Sequence, residues 1–532
     1  MSEAQLRRVQ GPAAPGGVQR QSLWQGSGQR PALNAKGGTT LMRRGIRLAA
    51  LCCLLALLTT ACGQKEKLQS DTPVEHTFEN VSVHDPAIIR GEDGDWYIFG
   101  SHLAVAKTSD LMNWSYINDK MKAHSSVIPD VYTVMADAFA WSQSDTFWAP
   151  DVIKLQNGQY GMFYCNCKGD EPQSCIGIAY AGSVEGPYEN QGLFLYSGSG
   201  AYEMNGFEGV YQPTRDPNAV DPCVFYDPDG RLWMIYGSYS GGIFAKEMDP
   251  VTGMPLEMEG YGTKLLGGNH LRIEAPYVIY NPGTGYYYMF LSFGGLDSDG
   301  GYNVRVVRSE NPDGPYYDSM GQEMTSCKGP TGSAFNDTAA ANYGVKLMGG
   351  YKFLWQEGEL GENRKGFLSP GHNSCLYDEE TGKYFMIHHT RFENSGEKHE
   401  VRVRQMFFNA DGWPVLAPYR YAGETAGAVT AEEIPGTYKL INHGRAITAE
   451  MSESVNITLT KDGKVTGGDM EEGTWTLSGD NQMEITLDGR TYSGLFLVQW
   501  DEDGQKNVMT FTALNSETGT CVWGSGVNAR AE

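Results

Sequence analysis

Positive charge is scarce in this chain. Lysine and arginine number 41 against 64 aspartates and glutamates, and the formal net charge is -23 over 532 residues. That balance does not supply a face able to neutralise many phosphates, which argues against nucleic-acid binding. Membrane-spanning length is lacking as well: the apolar run from Leu48 to Leu58 has eleven residues, too few to cross a bilayer. Cysteine occurs ten times without forming a disulfide framework. Cys52 and Cys53 fall in that apolar run and Cys62 closes it. The remaining seven, Cys165, Cys167, Cys175, Cys223, Cys327, Cys375 and Cys521, are odd in number. Cys165, Cys167 and Cys175 match no common zinc spacing and read as buried small apolar side chains.

The apolar run follows the basic segment Met42-Arg-Arg-Gly-Ile-Arg47 and precedes Thr59-Thr-Ala-Cys62. Residues 42–62 therefore read as a signal peptide. The small residue before Cys62 resembles a bacterial lipobox, although Thr59 stands where leucine is usual. The reading makes Cys62 a lipid attachment point and places the mature chain on the bacterial cell envelope, at the outer membrane or cell surface. Residues 1–41 are rich in Gly, Pro, Gln and Arg without apolar periodicity, so they are expected to be a non-native or disordered extension, with Met42 as the start. Residues 63–80 read as a polar tether.

Glycine is plentiful, with 67 residues, and aromatics reach 11%, a composition that favours all-β architecture. A repeat runs from about residue 81 to 425. Asp85 lies nine residues before Gly94, Ala149 nine before Gly158, Asp221 nine before Gly230, Glu274 nine before Gly283 and His372 ten before Gly382. Each turn leads into an aromatic strand, as in Trp96-Tyr-Ile-Phe99 and Leu232-Trp-Met-Ile-Tyr236. Strand, glycine turn and strand make a hairpin, and five such units predict a five-bladed β-propeller. An open solenoid or sandwich would not bring the five leading residues together. In the propeller, Asp85, Asp221, Glu274 and His372 occupy one register and face each other across the channel. Ala149 takes the slot in the second blade, flanked by Phe147 and Trp148, with Asp151 deeper and structural.

The stretch from Gly329 to Leu368 exceeds what a blade needs and reads as a long loop or extra hairpin over a rim. Residues 432–532 change character to short alternating strands with Lys461-Asp-Gly463 and Asp488-Gly489 turns. They predict a separate antiparallel barrel or sandwich.

Three carboxylates around one channel suit acid–base cleavage of a glycosidic bond. One activates water, one protonates the leaving oxygen, and a third holds the acid's pKa up and orients it. Asp-Pro pairs also open ordinary turns, but three carboxylates in a shared register favour function.

The segments Val83-His-Asp-Pro-Ala-Ile-Ile89, Phe147-Trp-Ala-Pro-Asp-Val152, Asn218-Ala-Val-Asp-Pro222, Gly237-Ser-Tyr-Ser-Gly-Gly-Ile243 and Glu274-Ala-Pro-Tyr277 resemble glycoside hydrolase family 43. The resemblance covers residues of about 80–425 and is closest to endo-α-1,5-L-arabinanases, whose longer secreted members carry a similar C-terminal β domain. It implies inversion, with Asp85 as general base, Glu274 as general acid and Asp221 tuning the acid. It also implies that Trp148 stacks on a sugar ring, beside Phe147, and that Asn218 and Ser238 lie near the bound sugar. His372, in Gly371-His-Asn-Ser374, resembles the histidine that holds a calcium or sodium ion in the channel, mostly through water. The partner implied is arabinan or its oligosaccharides, acted on by a monomer whose only membrane contact is a lipid anchor. Arg391 is a candidate partner for a channel carboxylate. The competing readings are an exo-acting arabinofuranosidase or β-xylosidase of the same family, and a non-catalytic glycan-binding surface lipoprotein. No Asn-Asp-Pro-Asn-Gly opening marks a fructan hydrolase.

Overall fold

The computed structural model describes residues 76–528. The leader, Cys62 and residues 63–75 of the tether lie outside the described residues. Four blades of four consecutive antiparallel strands are present. The first holds β1 (Ala87–Arg90), β2 (Trp96–Gly100), β3 (Ala104–Thr108) and β4 (Ser115–Asn118). The second holds β5 (Trp148–Lys154), β6 (Tyr160–Cys167), β7 (Ser174–Ala181) and β8 (Glu189–Ser197). The third holds β9 (Cys223–Tyr226), β10 (Leu232–Tyr236), β11 (Ile243–Met248) and β12 (Thr263–Leu266). The fourth holds β13 (Ile273–Asn281), β14 (Tyr286–Phe293), β15 (Asn303–Ser309) and β16 (Val345–Met348). The chain is thus all-β with a propeller-like arrangement.

A further sheet contains β17 (Tyr351–Lys352), β18 (Phe367–Asp378), β19 (Lys383–Phe392), β20 (His399–Phe408) and β21 (Pro414–Leu416). Its long strand β18 packs against both β13 and β1, while β1 packs on β5, β5 on β9 and β9 on β13. Apolar side chains fill each seam. Phe99 and Tyr164 share a core with Phe147, Phe163 with Met234, Ile235 with Leu291, and Ile98 with Ile387. Burial of each such side chain is worth about 1.5–3 kcal/mol, so closing the seams is the main stabilising event.

The C-terminal strands are β22 (Gly436–Asn442), β23 (Ser452–Glu453), β24 (Val455–Leu459), β25 (Lys464–Thr466), β26 (Gly473–Ser478), β27 (Gln482–Leu487), β28 (Arg490–Asp501), β29 (Lys506–Asn515) and β30 (Thr520–Gly526). β22 and β24 to β30 pair in a ring, because β30 bonds to both β22 and β29. Closure leaves no free edge.

Two features differ from the sequence expectation. The barrel is not a separate sheet: β16 pairs in parallel with β30 at Lys346 and Thr520, and β17 pairs with β23. An outer blade strand exposes unpaired backbone groups, and the barrel covers them. Nor is Gly329–Leu368 a loop over a rim. It supplies β16 and β17, and then buries Glu359 and Arg364 against the barrel. Arg364 Nη1 lies 2.8 Å from Asp501 Oδ1. Glu359 Oε1 lies 3.1 Å from Lys439 Nζ and 3.0 Å from Lys506 Nζ. Charged residues such as these read as solvated in a one-dimensional sequence, but here each brings its own counterion into the seam.

Candidate active site

The innermost strands converge on a cavity of about 20 Å³. Its wall contains the successive pairs Asp85-Pro86, Ala149-Pro150, Asp221-Pro222, Ala275-Pro276 and His372-Asn373. The convergence expected of the repeat is therefore present, with one correction of register. Ala275, and not Glu274, is the equivalent of Asp85 and Asp221. Pairing with the second strand aligns Ala87, Cys223 and Tyr277 opposite Phe99, Ile235 and Phe290, so each cavity residue stands two places before these. The backbone agrees: Asp85, Asp221, Ala275 and His372 all have positive φ, at 59°, 53°, 56° and 43°. The turn glycine equivalent to Gly94 (φ 88°) and Gly230 (φ 80°) is Gly285 (φ 76°). The Asn281-Pro-Gly-Thr-Gly285 turn is one residue longer, so counting back from Gly283 shifted the register.

Glu274 thus belongs to the preceding position, with His84, Trp148, Val220 and Gly371. This separates the three carboxylates into two tiers. Asp85 and Asp221 line the cavity, and Glu274 stands on the tier before it.

Asp85 is buried. Its Oδ1 lies 2.9 Å from His372 Nδ1, and its Oδ2 lies 2.7 Å from His84 Nδ1. Ser101 Oγ donates to Oδ2, and the Asp85 backbone N–H donates to His389 Nδ1 at 3.2 Å. Burial pushes the carboxyl pKa up, but His372 and His84 together outweigh it and hold it well below the ordinary value. Burial likewise lowers the pKa of His372, yet Asp85 first, and then Asp221 and Glu274, raise it to about 9.

The other two carboxyls move in the opposite direction. Burial raises Asp221 to about 8, against His372, with Glu274 and Asp85 adding to the rise. The Ala275 N–H donates to its Oδ2 at 3.2 Å. Burial also raises Glu274, although His372, Tyr302 and Ser238 pull it down. Tyr302 donates to Glu274 Oε1 at 2.7 Å and Ser238 to Oε2 at 2.8 Å. One carboxylate is therefore held ionised beside two whose pKa burial raises, which is the division of labour acid–base cleavage needs.

The remaining expected residues separate. Trp148 is half-buried, with its ring 5.1 Å from exposed His102 and its Nε1 donating to Cys167 O at 3.3 Å. Phe147 is 1% exposed and packs between Phe139 and Tyr164. It is a core residue and cannot touch a ligand; adjacent strand residues point to opposite faces, so Trp148 and Phe147 cannot share one surface. Half-buried Asn218 accepts from Ser197 Oγ at 3.2 Å. Ser238 is spoken for by Glu274. Asp151 is buried, accepts N–H donations from Val224 at 2.7 Å and Val152 at 2.9 Å, and stitches two blades together. Arg391 pairs with Glu397 at 2.6 Å and with no channel carboxylate. All seven cysteines among the described residues are free.

Sequence reasoning missed Tyr302, Ser101, His389 and Ser292, whose Oγ accepts from the His372 N–H at 2.8 Å. Three of these had a signal. Ser101, Ser292 and His389 each stand two residues after the second-strand position paired with the inner strand (Phe99, Phe290 and Ile387). Extending the repeat into strand two finds them. Tyr302 lies just before β15 and carries no repeat signal.

The sequence profile of Glycosyl hydrolases family 43 matches residues 75–341, and that of the C-terminal lipocalin-like domain matches residues 418–524. An extracellular endo-alpha-(1->5)-L-arabinanase of Bacillus subtilis is 52% identical over 473 residues, 89% of this chain and 98% of the relative. An extracellular endo-alpha-(1->5)-L-arabinanase of Thermotoga petrophila is 45% identical over 455 residues, 84% and 94% of the two chains. The crystal structure of a glycoside hydrolase family 43 protein from Bacillus licheniformis superposes with a TM-score of 0.81 at 50% identity, covering 85% of this chain and all of that one. With its three carboxyls divided between two tiers of one channel, the chain belongs to glycoside hydrolase family 43.

Proposed function

We propose that this protein hydrolyses internal α-1,5 bonds of L-arabinan with inversion. The observation that carries this reading is the split in acidity: Asp85 is held ionised beside His372 and His84, while burial raises the pKa of Glu274, which Tyr302 and Ser238 hold. Asp85 takes a proton from water as that water attacks the anomeric carbon. Glu274 gives its proton to the departing glycosidic oxygen. Asp221, next to Glu274 in the electrostatics of the site, raises the acid's pKa once ionised. Trp148 offers its face to a sugar ring, and Asn218 lies at the edge of the same site. Both relatives cited above carry endo activity in their names, which favours internal cleavage over the exo alternative.

The sheet β18 to β21 acts in this reading as a fifth blade, with β18 closing the circle between β13 and β1. A calcium or sodium ion fits the channel. Asn373 Oδ1 is buried without a hydrogen-bond partner, and Asn373 lines the same cavity as His372. Hard cations take such oxygens. His372 would offer its Nε2 only as the neutral imidazole, with Nδ1 facing Asp85, so the ion would replace the positive charge that the imidazolium otherwise carries among three buried carboxyls. The enzyme works as a monomer, exported and lipid-anchored through Cys62; mass spectrometry of the mature N-terminus and of Cys62→Ser checks the anchor.

The deciding experiment is a product profile on linear and branched arabinan, with xylan as control. A ladder of short oligomers from linear arabinan is expected, and release of arabinose alone rejects endo action. Glu274→Gln must lose activity by about 10²–10⁴-fold; a Glu274→Gln protein as fast as the wild type rejects the mechanism.

A further inference from the structure

Where the loop after Phe353 meets β20 and the β28–β29 hairpin, four arginines enclose a cavity of about 30 Å³. Arg364, Arg402, Arg404 and Arg420 are all buried. Each has at least one buried guanidinium N–H without a hydrogen-bond partner: Nε of Arg364, Arg402 and Arg404, and Nη1 of Arg420. Such groups are rare in folded proteins and call for a ligand, water or ion.

The counterions do not account for them. Arg364 is paired with Asp501 and Arg402 with Glu400 at 2.8 Å. Arg420 reaches Glu502 only at 3.6 Å, and burial together with Arg402 lowers its pKa to about 9; its guanidinium stays charged at neutral pH. Among the described residues no carboxylate lies within ion-pair distance of Arg404, whose guanidinium instead donates to Ala417 O, Pro418 O and Tyr351 Oη. Glu502, Asp503 and exposed Lys365 complete the charged lining. Guanidinium N–H groups buried without an acceptor are unfavourable even though each arginine has other partners, including Asn80 at 2.9 Å from Arg420 and the Trp523 ring under Arg404.

We propose that this cavity binds a monatomic inorganic anion of chloride size at the seam between the β18–β21 sheet and the C-terminal barrel. The space suits one or two water-sized bodies, which excludes a tetrahedral oxyanion. The arginines that line it come from β20, from the segment after β21 and from the loop before β18. The bound anion joins the β28–β29 hairpin to the sheet that carries His372 and His389.

Crystals of the full chain grown with bromide in place of chloride, measured at the bromine edge, test the site directly. Thermal unfolding in sodium chloride against sodium gluconate at equal ionic strength tests its effect. A bromide peak among the four guanidiniums and a saturable chloride-dependent rise in Tm of about 2 °C are expected. Arg404→Met should abolish that rise; if this variant does not fold, the wild-type measurements decide alone. A water in place of bromide, or oxyanion density there, overturns the proposal. So does a bromide peak with a Tm indifferent to chloride, which means binding at crystal concentration only.

Discussion

His372 Nδ1 stands 2.9 Å from Asp85 Oδ1, so the ring that would hold the channel ion through its other nitrogen also orients the carboxylate that would activate water. The two roles are linked through one ring. Removing the ion with a chelator should lower arabinan hydrolysis tenfold or more, and calcium should restore it. His372→Ala should be slow with or without calcium, as measured by reducing-sugar release. Full activity after exhaustive chelation argues against calcium and leaves sodium, which exchange into a sodium-free buffer then tests.

The acidities predict a bell-shaped pH profile. Asp85 must be ionised, and its pKa is held low, so the acidic limb lies well below neutrality. Glu274 must be protonated, and its pKa is raised, so activity falls on the alkaline side as the Asp221–Glu274 pair ionises. Asp221→Asn removes the negative charge that Asp221 gains as it ionises near 8, so over that range Glu274 gives up its proton more readily. The alkaline limb of kcat/KM should move to lower pH and narrow the bell. An unmoved limb would take the tuning role from Asp221.

Gly371 is required by a close approach. A Cβ at this position would lie 2.3 Å from the Tyr302 ring, and Tyr302 holds Glu274. Gly371→Ala should therefore displace Tyr302 and lower kcat about 10–100-fold with little change in KM. Tyr302→Phe should lower kcat in the same way and move the pH profile, because it removes a hydroxyl that favours the ionised acid.

Trp148 and Phe147 are neighbours with opposite expected phenotypes. Trp148→Ala should raise KM about tenfold through loss of a stacking face while Tm changes little. Phe147→Ala should cost about 3–5 kcal/mol of stability and leave KM unchanged in the fraction that folds. Urea unfolding and arabinan kinetics on the same preparations separate the two.

The all-β class, the hairpin repeat, the C-terminal β domain and the convergence of Asp85, Asp221 and His372 on one channel were legible in the sequence, because strand alternation, turn glycines and Xaa-Pro openings are local. Position within the ring was legible to one residue only. The longer Asn281–Gly285 turn displaces Glu274 by one tier, and turn length does not reveal which glycine carries the positive φ until the strands pair. Tertiary structure alone decided the rest. Tyr302, far from Glu274 in the chain, reaches it through the close approach to Gly371. Phe147 became core because its neighbour Trp148 took the open face. Glu359, Arg364 and the arginines of β20 read as solvated charges until the barrel docked, since burial and counterions are properties of packing between segments that no local pattern records.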